Sequence, residues 1–325
     1  MNKPAILYLT EADVQQCMPV AEAVALAEKG ILADAAGDVA GDKFYMPVGG
    51  AGFIKPFSGY LTGESLAFVK TFSFFEGNRA QDLPVTGSIV LLFEAESGLP
   101  VCLMAADWIT AQKTGASTAV TAKFLARPDS RVATIFGAGG LGRSHLLALN
   151  EVFELAEARV VDIIPEAAED FATEMGSQIN VPVIVSASPQ EAVRGADIVV
   201  TVTTGSAVNV RHEWLKPGAF VARMGSYQEV AHDLLLRADK LVVDRWAYVS
   251  YRVPEMIDLI HRGQLSQEDV YAEWPDIAGG RIAGRESDQE IILYIALGIW
   301  GEYAAILPQV YRRAKQLRLG AILTG

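Results

Sequence analysis

The chain has 325 residues, 51% of them hydrophobic, and a formal net charge of −12 at pH 7. That is enough apolar material for about two domains with real cores, and the acidic balance argues against a general nucleic-acid or anionic-membrane surface. Two cysteines, Cys17 and Cys102, lack CxxC spacing and a Cys/His cluster, which argues against a disulfide framework or a metal site. The N-terminus has no signal-peptide core and no apolar run reaches membrane-spanning length, so a soluble cytoplasmic protein is expected.

Thr10-Glu-Ala-Asp13 opens like a capped helix and Val20 to Glu28 carries helical apolar spacing, so 10–36 is read as helical. From about 44 to 105, short apolar or aromatic runs alternate with turn residues, at 44–48, 52–55, 66–75, 87–94 and 100–105. Glu96-Ser-Gly98 reads as a hairpin turn between the last two, and the region as mostly antiparallel sheet. Residues 107–127 are helical again, with small residues at Ala111, Gly115, Ala116, Ala119 and Ala122. From 131 to about 245 the rhythm is βαβ, with strands expected at 131–136, 158–163, 181–185, 197–203, 219–224 and 240–244. That rhythm implies a parallel sheet covered on both faces. Residues 254–262 and 288–318 are read as helices, the last with Arg312, Arg313, Lys315 and Arg318 towards its end, where cations suit the helix dipole. The expected class is α/β: a Rossmann-type doubly wound parallel sheet at 126–304, preceded by a mixed α+β domain at 1–125 that the C-terminal helix, about 305–325, rejoins.

The strongest motif lies at the start of the βαβ region. Arg131 to Phe136 is an apolar run leading into Gly137-Ala-Gly139-Gly140-Leu141-Gly142, and a helix-prone segment follows. Gly137 permits the tight turn, Gly139 lets backbone N–H groups approach a pyrophosphate, and Gly142 allows close helix packing. The helix N-terminus adds unpaired N–H groups and a positive dipole end. Asp162 follows Gly142 by twenty residues and closes the second strand, where it is placed to accept from a ribose 2′-hydroxyl. Ile163 and Ile164 offer no cation to a 2′-phosphate, so the expected cofactor is NAD(H) rather than NADP(H). Thr203 and Thr204, ending the fourth strand, are expected to line the nicotinamide side, and Met224, Gly225 and Ser226 are further cofactor-binding candidates. His145, one turn into the helix, reads as a packing histidine, and His212, His232 and His261 have no metal-ligand spacing.

The first domain holds unusual polar residues: Lys70 at the end of an apolar run, Asn78 and Arg79 in a loop before Leu83-Pro84 and Gly87-Ser88, and Asp107 to Ser117 with Thr110 and Lys113. On texture alone a lysine in an apolar strand snorkels to water more often than it serves a buried anion. The combined pattern changes that weighting. The elements Lys70, Asn78 to Gly87, Asp107 to Ala116, the glycine motif, Asp197 to Thr203, Trp214-Leu-Lys-Pro-Gly218, Met224-Gly225-Ser226 and the ending from Asp288 to Gly320 resemble the ornithine cyclodeaminase/mu-crystallin family over nearly the whole chain.

That resemblance implies an NAD(H)- or NADP(H)-binding fold handling 2-amino acids and their imines, with the first domain binding substrate and forming a homodimer. It implies that Lys70 faces the substrate and that Lys113, where the family usually has Arg, binds its carboxylate, with Lys43 a further candidate cation. A lysine trades a bidentate fork for a point charge. Cyclodeaminases carry an Asp shortly after the turn that follows the fifth strand; here Tyr227 stands there, which weakens that reading and leaves imine reduction. The expectation is an NAD-dependent imine reductase or amino-acid dehydrogenase, with Lys70 catalytic and Lys43, Lys70, Lys113 and Tyr227 around the substrate. Lys43, Lys55, Lys70, Arg79 and Lys113 make iminosuccinate, giving aspartate, the specific candidate. Alanine dehydrogenase, cyclic ketimine reductase, ornithine cyclodeaminase and a non-catalytic binder like mu-crystallin are the alternatives.

Overall fold

A computed structural model describes residues 5–205 and 207–324. Contacts divide the chain into two units, one up to Lys113 and again from Trp300 onward, the other from Thr114 to Ile299. The first boundary falls inside a helix, α3 (Asp107–Leu125), and not after 125; the return to the first unit begins at Trp300, not near 305. A continuous helix shows no break in its sequence even when its two ends belong to different cores.

In the first unit, β1 (Ile6–Leu9) leads into α1 (Glu11–Cys17) through a capping box in which the Thr10 hydroxyl accepts from the Asp13 N–H and the Asp13 carboxylate accepts from the Thr10 N–H at 2.9 Å. The helix expected over 10–36 is two helices, α1 and α2 (Val20–Ala36). Met18 between them is extended (φ −143°, ψ 91°) because the ring of Pro19 disfavours the helical region for the residue before it. Gly37, at φ +83°, ends α2 in the left-handed conformation. An antiparallel meander follows, built from β2 (Val39–Lys43), β3 (Met46–Val48), β4 (Gly52–Leu61), β5 (Leu66–Phe74), β6 (Thr86–Glu94) and β7 (Pro100–Ala105). The strands run β1-β7-β6-β5-β4-β2, with β3 also on β4 and β1 parallel to β7. β4 extends six residues past the expected 52–55, and β1 and β2 were not foreseen.

The register places the chemistry. Lys43 pairs with Phe57, Phe57 with Lys70 and Lys70 with Val90; one step along, Lys55 pairs with Phe72 and Phe72 with Ser88. Paired residues share a face and so do residues two apart, so Lys43, Lys55, Lys70 and Ser88 all project from one side of the sheet. The other side exposes Val69 and Ile89.

The second unit holds the remainder of α3 and a parallel sheet of β8 (Val132–Phe136), β9 (Glu157–Val161), β10 (Val183–Val185), β11 (Ile198–Thr201), β12 (Phe220–Arg223), β13 (Lys240–Val243), β14 (Ala272–Glu273) and β15 (Ile292–Ile295), in the order β10-β9-β8-β11-β12-β15-β13-β14. Its larger helices are α4 (Gly140–Val152) and α5 (Pro165–Ile179), with α6 (Pro189–Val193), α7 (His232–Arg237), α8 (Trp246–Val249), α9 (Pro254–His261) and α10 (Trp274–Ala278) between later strands. Val199, Val221, Leu293 and Ile295 lie in its core. Gly115 of α3 serves a close crossing: a Cβ there would meet the Ser144 carbonyl oxygen of α4 at 2.3 Å. This doubly wound order is the Rossmann type that the βαβ rhythm implies.

The helix expected over 288–318 begins only at Gly301. Ile292–Ile295 is instead a strand between β12 and β13. An apolar run buried on both faces has the same periodicity in a central parallel strand as in a buried helix. α11 (Gly301–Leu317) then crosses α2 where two glycines meet, a Cβ on Gly30 coming within 2.3 Å of the Gly301 carbonyl oxygen. That approach sets the position of the next two residues, Glu302 and Tyr303. β16 (Ala321–Leu323) closes the unit antiparallel to β1. Among the described residues no helix is long and apolar enough to cross a membrane.

Candidate functional sites

The first unit buries a cluster of ionisable groups. Lys70 is 1% exposed and does not snorkel. Its Nζ lies 5.2 Å from the Phe57 ring, 5.4 Å from Phe72 and 5.3 Å from Tyr303, and donates to Ser88 Oγ at 3.2 Å. Burial holds its pKa well below the ordinary lysine value; the charges of Lys55 and Lys113 push the same way and Asp107 opposes them. The Lys55 ammonium sits over the Phe72 ring at 5.3 Å.

Lys113 is also buried, and its partner is the fully buried Glu302 of α11, with Nζ to Oε1 at 3.2 Å. Nζ lies over the Tyr303 ring at 5.0 Å. The cation at this position is therefore charge-compensated within its own unit. Burial raises the Tyr303 phenol above its ordinary value, so it remains protonated while hydrogen-bonded to Thr110. Thr110 Oγ1 donates to the Ala106 carbonyl oxygen and lies 3.5 Å from Ser88 Oγ. Asp107, the first residue of α3, accepts from both the hydroxyl and the backbone N–H of Ser88. Burial and then the Glu11 carboxylate push its pKa up, against those bonds and Lys70. Glu11 caps the helix, accepting from the N–H groups of Asp107 at 2.8 Å and Trp108 at 3.1 Å. Lys43, at the end of β2, is half-buried on the same sheet face as Lys70.

In the second unit the glycine motif forms the turn from β8 into α4. Gly137 has φ +107°, and a Cβ there would meet the Val202 carbonyl oxygen at 2.8 Å, so this position needs glycine twice over. A Cβ on Gly142 would lie 2.0 Å from the Gly137 carbonyl oxygen. Gly139 and Gly140 have nothing within 4 Å of such an atom: their backbone faces open space at a helix N-terminus, as a pyrophosphate requires. The loop is held at Ala138. Its N–H donates to Asp162 Oδ2 at 2.7 Å, and its carbonyl accepts from Arg143, whose Nε donates to Glu174 at 2.8 Å. Asp162 Oδ1 accepts from the Ile164 N–H at 3.0 Å; a carboxylate with one bond at each oxygen keeps acceptor capacity for a ribose hydroxyl. Ile163 beside it is 90% exposed. These residues fit a dinucleotide without a 2′-phosphate. Leu141 holds the buried His145 through its carbonyl, 2.6 Å from Nδ1, and burial pushes that imidazole down to about 4.

A buried carboxylate organises the neighbouring strand ends, and the motif reading did not find it. Glu229 accepts at Oε1 from the Thr203 N–H at 2.5 Å and hydroxyl at 2.8 Å, and at Oε2 from Thr201 Oγ1 at 3.0 Å and the Gly225 N–H at 2.9 Å. A Cβ on Gly225 would strike that carboxylate at 2.4 Å. Burial raises the Glu229 pKa, and Arg223 with the donors of Thr203 and Thr201 works against the rise. Arg223 in turn pairs with Glu255 at 3.2 Å and donates to the carbonyl oxygens of Gly225 and Tyr227. The Thr203 side chain is thus committed to Glu229, Thr204 and Ser226 are exposed, Met224 is half-buried, and Tyr227 is anchored through its backbone.

The sequence-predicted residues fall into two groups. Lys43, Lys70 and Lys113 belong to the first unit, the glycines, Asp162, Thr203, Thr204, Met224, Gly225, Ser226 and Tyr227 to the second. Glu302, Tyr303, Ser88 and Glu229 were missed. Glu302 is one of many glutamates in helices, and only burial distinguishes it. Among the described residues no group of three or more His, Cys, Asp or Glu is arranged to hold a metal ion.

Comparison with known proteins extends these observations. The model of the ornithine cyclodeaminase/mu-crystallin family matches residues 6–317. The ketimine reductase mu-crystallin of Rattus norvegicus is 33% identical over 233 residues, 70% of this chain and 71% of that protein. The structure of Thermococcus litoralis Δ1-pyrroline-2-carboxylate reductase in complex with NADH and L-proline superposes with a TM-score of 0.93 at 29% identity, over 97% of this chain and 99% of that one. An archaeal alanine dehydrogenase dimer with bound NAD superposes with a TM-score of 0.91 at 27% identity, over 98% and 99%.

Proposed function

Because this chain belongs to the ornithine cyclodeaminase/mu-crystallin family, we propose that it is an NAD(H)-dependent oxidoreductase of carbon–nitrogen bonds, interconverting a 2-imino acid and an L-amino acid. The observation that carries this reading is Lys70: an amine buried at 1% exposure in an aromatic cage, its charge destabilised, with a hydroxyl as its hydrogen-bond acceptor. Such a group suits proton transfer better than structural pairing. NADH, when bound, supplies the hydride to the imine carbon. Lys70 holds the proton at the imine nitrogen, Lys113 and Lys43 attract the substrate carboxylate, and the aromatic rings of Phe57, Phe72 and Tyr303 exclude water. Gly137 to Gly142 and Asp162 bind the pyrophosphate and ribose, Thr203, Thr204, Met224, Gly225 and Ser226 line the nicotinamide end of the strands, and Tyr227 is the substrate-binding candidate of the second unit. A non-catalytic binder would need the glycine loop but not a buried, charge-destabilised lysine.

Lys55 lies on the face that carries Lys70, giving a cation for a second carboxylate. This favours iminosuccinate, reduced to aspartate, as the substrate. The test is NADH oxidation with ammonia and either oxaloacetate or pyruvate. Faster oxidation with oxaloacetate is expected, and equal or absent oxidation removes the dicarboxylate. A second reading, a cyclic ketimine such as pyrroline-2-carboxylate, draws on the apolar wall of Phe57, Phe68, Phe72 and Tyr303. Cyclodeamination is disfavoured, since Tyr227 supplies no carboxylate. The exposed Val69 and Ile89 fit a homodimer through the open face of the first sheet, and two buried free cysteines fit a cytoplasmic setting.

A further inference from the structure

Lys70 poses a problem that its own burial creates. An acid that gives a proton to the substrate at each turnover must recover one from water, yet the side chain is 1% exposed and walled by Phe57, Phe72 and Tyr303. Its hydrogen-bond acceptor is Ser88 Oγ at 3.2 Å. The Ser88 hydroxyl, with one proton to give, faces the Asp107 carboxylate, whose neighbour Ala106 donates its N–H to the Ser88 carbonyl oxygen at 3.1 Å. Asp107 is exposed at the start of α3. The three groups come from β5, β6 and α3, and together they span the distance from a buried amine to the surface.

We propose that Ser88 and Asp107 form the proton path of Lys70, carrying protons between its buried Nζ and solvent. Each transfer is conservative. When the Lys70 ammonium has given its proton to a neutral imine nitrogen, its free amine takes the Ser88 hydroxyl proton as Ser88 receives one from the Asp107 carboxyl group. Asp107 then regains a proton from water. The net reaction is imine plus hydride from NADH plus one solvent proton, giving the amine; no other reactant is needed. Ser88 and Asp107 do not touch the reacting carbon and act through Lys70.

The surroundings suit the task. Lys70 is faced by Lys55 from β4, by Lys113 and Asp107 from α3, and by Tyr303 from α11, whose neighbour Glu302 compensates Lys113. Burial, and after it the two lysines, weaken its hold on the proton. Burial and then Glu11, from α1, raise the proton affinity of Asp107. Donor and acceptor are thereby brought closer in proton affinity than a free lysine and a free aspartate, which favours transfer in both directions. Thr110, engaged with the Ala106 carbonyl and Tyr303, steadies Ser88 from the other side.

The role in turnover rests on the imine-reduction reading, but the path can be tested without it. In the whole protein with 15N-labelled lysine, the Lys70 Nζ signal is assigned by its loss in Lys70→Met. Exchange of its protons with solvent is then compared among wild type, Ser88→Ala, Asp107→Asn and Ser88→Thr. Slower exchange in the first two variants, with Ser88→Thr restoring the wild-type rate, is expected. Unchanged exchange in a folded Ser88→Ala or Asp107→Asn protein overturns the path. With an imino acid and NADH, Ser88→Ala and Asp107→Asn lower kcat about a hundredfold, raise the solvent isotope effect and suppress the effect of deuterated NADH. A change confined to KM, with isotope effects as in wild type, also counts against the path. Should none of the imino acids support NADH oxidation by wild type while exchange still depends on Ser88, the functional reading falls and the path stands.

Discussion

The lysine cluster of the first unit and the glycine loop of the second present positive potential by opposite physical means. The loop is open backbone: Gly139 and Gly140 face empty space, and the N–H groups and dipole of α4 supply the positive potential without a charged side chain. The cluster is closed side chain, with Lys70, Lys113, Glu302 and Tyr303 all buried and ringed by aromatics. Backbone dipoles do not titrate, so the potential that the loop offers an anion is alike across a wide pH range. Buried amines do titrate, and their protonation depends on each neighbour. The difference teaches where chemistry can reside: the loop can hold a ligand, and the cluster can also move a proton.

The sharpest way to separate the two is to remove Lys70. Lys70→Met is expected to lower kcat about a thousandfold while NADH affinity, measured by fluorescence titration, stays near wild type; an active variant would place the chemistry elsewhere. Glu302→Leu leaves Lys113 buried without its compensating charge and should destabilise the protein by about 3–5 kcal/mol, read by chemical denaturation. The double variant Lys113→Met/Glu302→Leu should recover most of that loss, since it removes both charges together; failure to recover would deny the pairing.

A third measurement concerns pH. His145, beside the loop, is neutral when folded down to about 4, against 6.5 for a free imidazole. Between these values the unfolded chain binds the extra proton, so stability rises with pH across the window and this contribution is absent below pH 4. It amounts to about 3 kcal/mol, and His145→Leu should flatten that limb of the stability curve. The smallest expected effect tests the loop itself. Gly142→Ala drives a Cβ into the Gly137 carbonyl and should cost about 2 kcal/mol together with NADH binding. Gly139→Ala meets nothing, so it should leave the melting temperature unchanged and weaken NADH alone.

Much of the second unit was legible because its signals are local. A turn that needs φ > 0, a helix start and an acidic residue at the next strand end are written in contiguous residues, and Gly137, Gly142 and Asp162 stand where the motif reading put them. The βαβ rhythm likewise came from short-range alternation. The misreadings were of context. Ile292–Ile295 joined the expected terminal helix because a fully buried strand and a buried helix share an apolar texture, and only its neighbours β12 and β13 decide between them. The break at Met18, by contrast, is local, since Pro19 disfavours the helical region for the residue before it.

By itself the sequence determined the glycine-rich turn at the head of the βαβ region, the βαβ rhythm of the parallel sheet and the presence of an unusual lysine in an apolar strand. Only the tertiary structure decided that Lys70 is sealed from water, that Glu302, 189 residues after Lys113, neutralises it, and that Ser88 and Asp107 connect Lys70 to the surface. The physical reason is one of range. Backbone conformation is set by neighbours along the chain, whereas desolvation and charge pairing depend on groups that only the folded chain brings together.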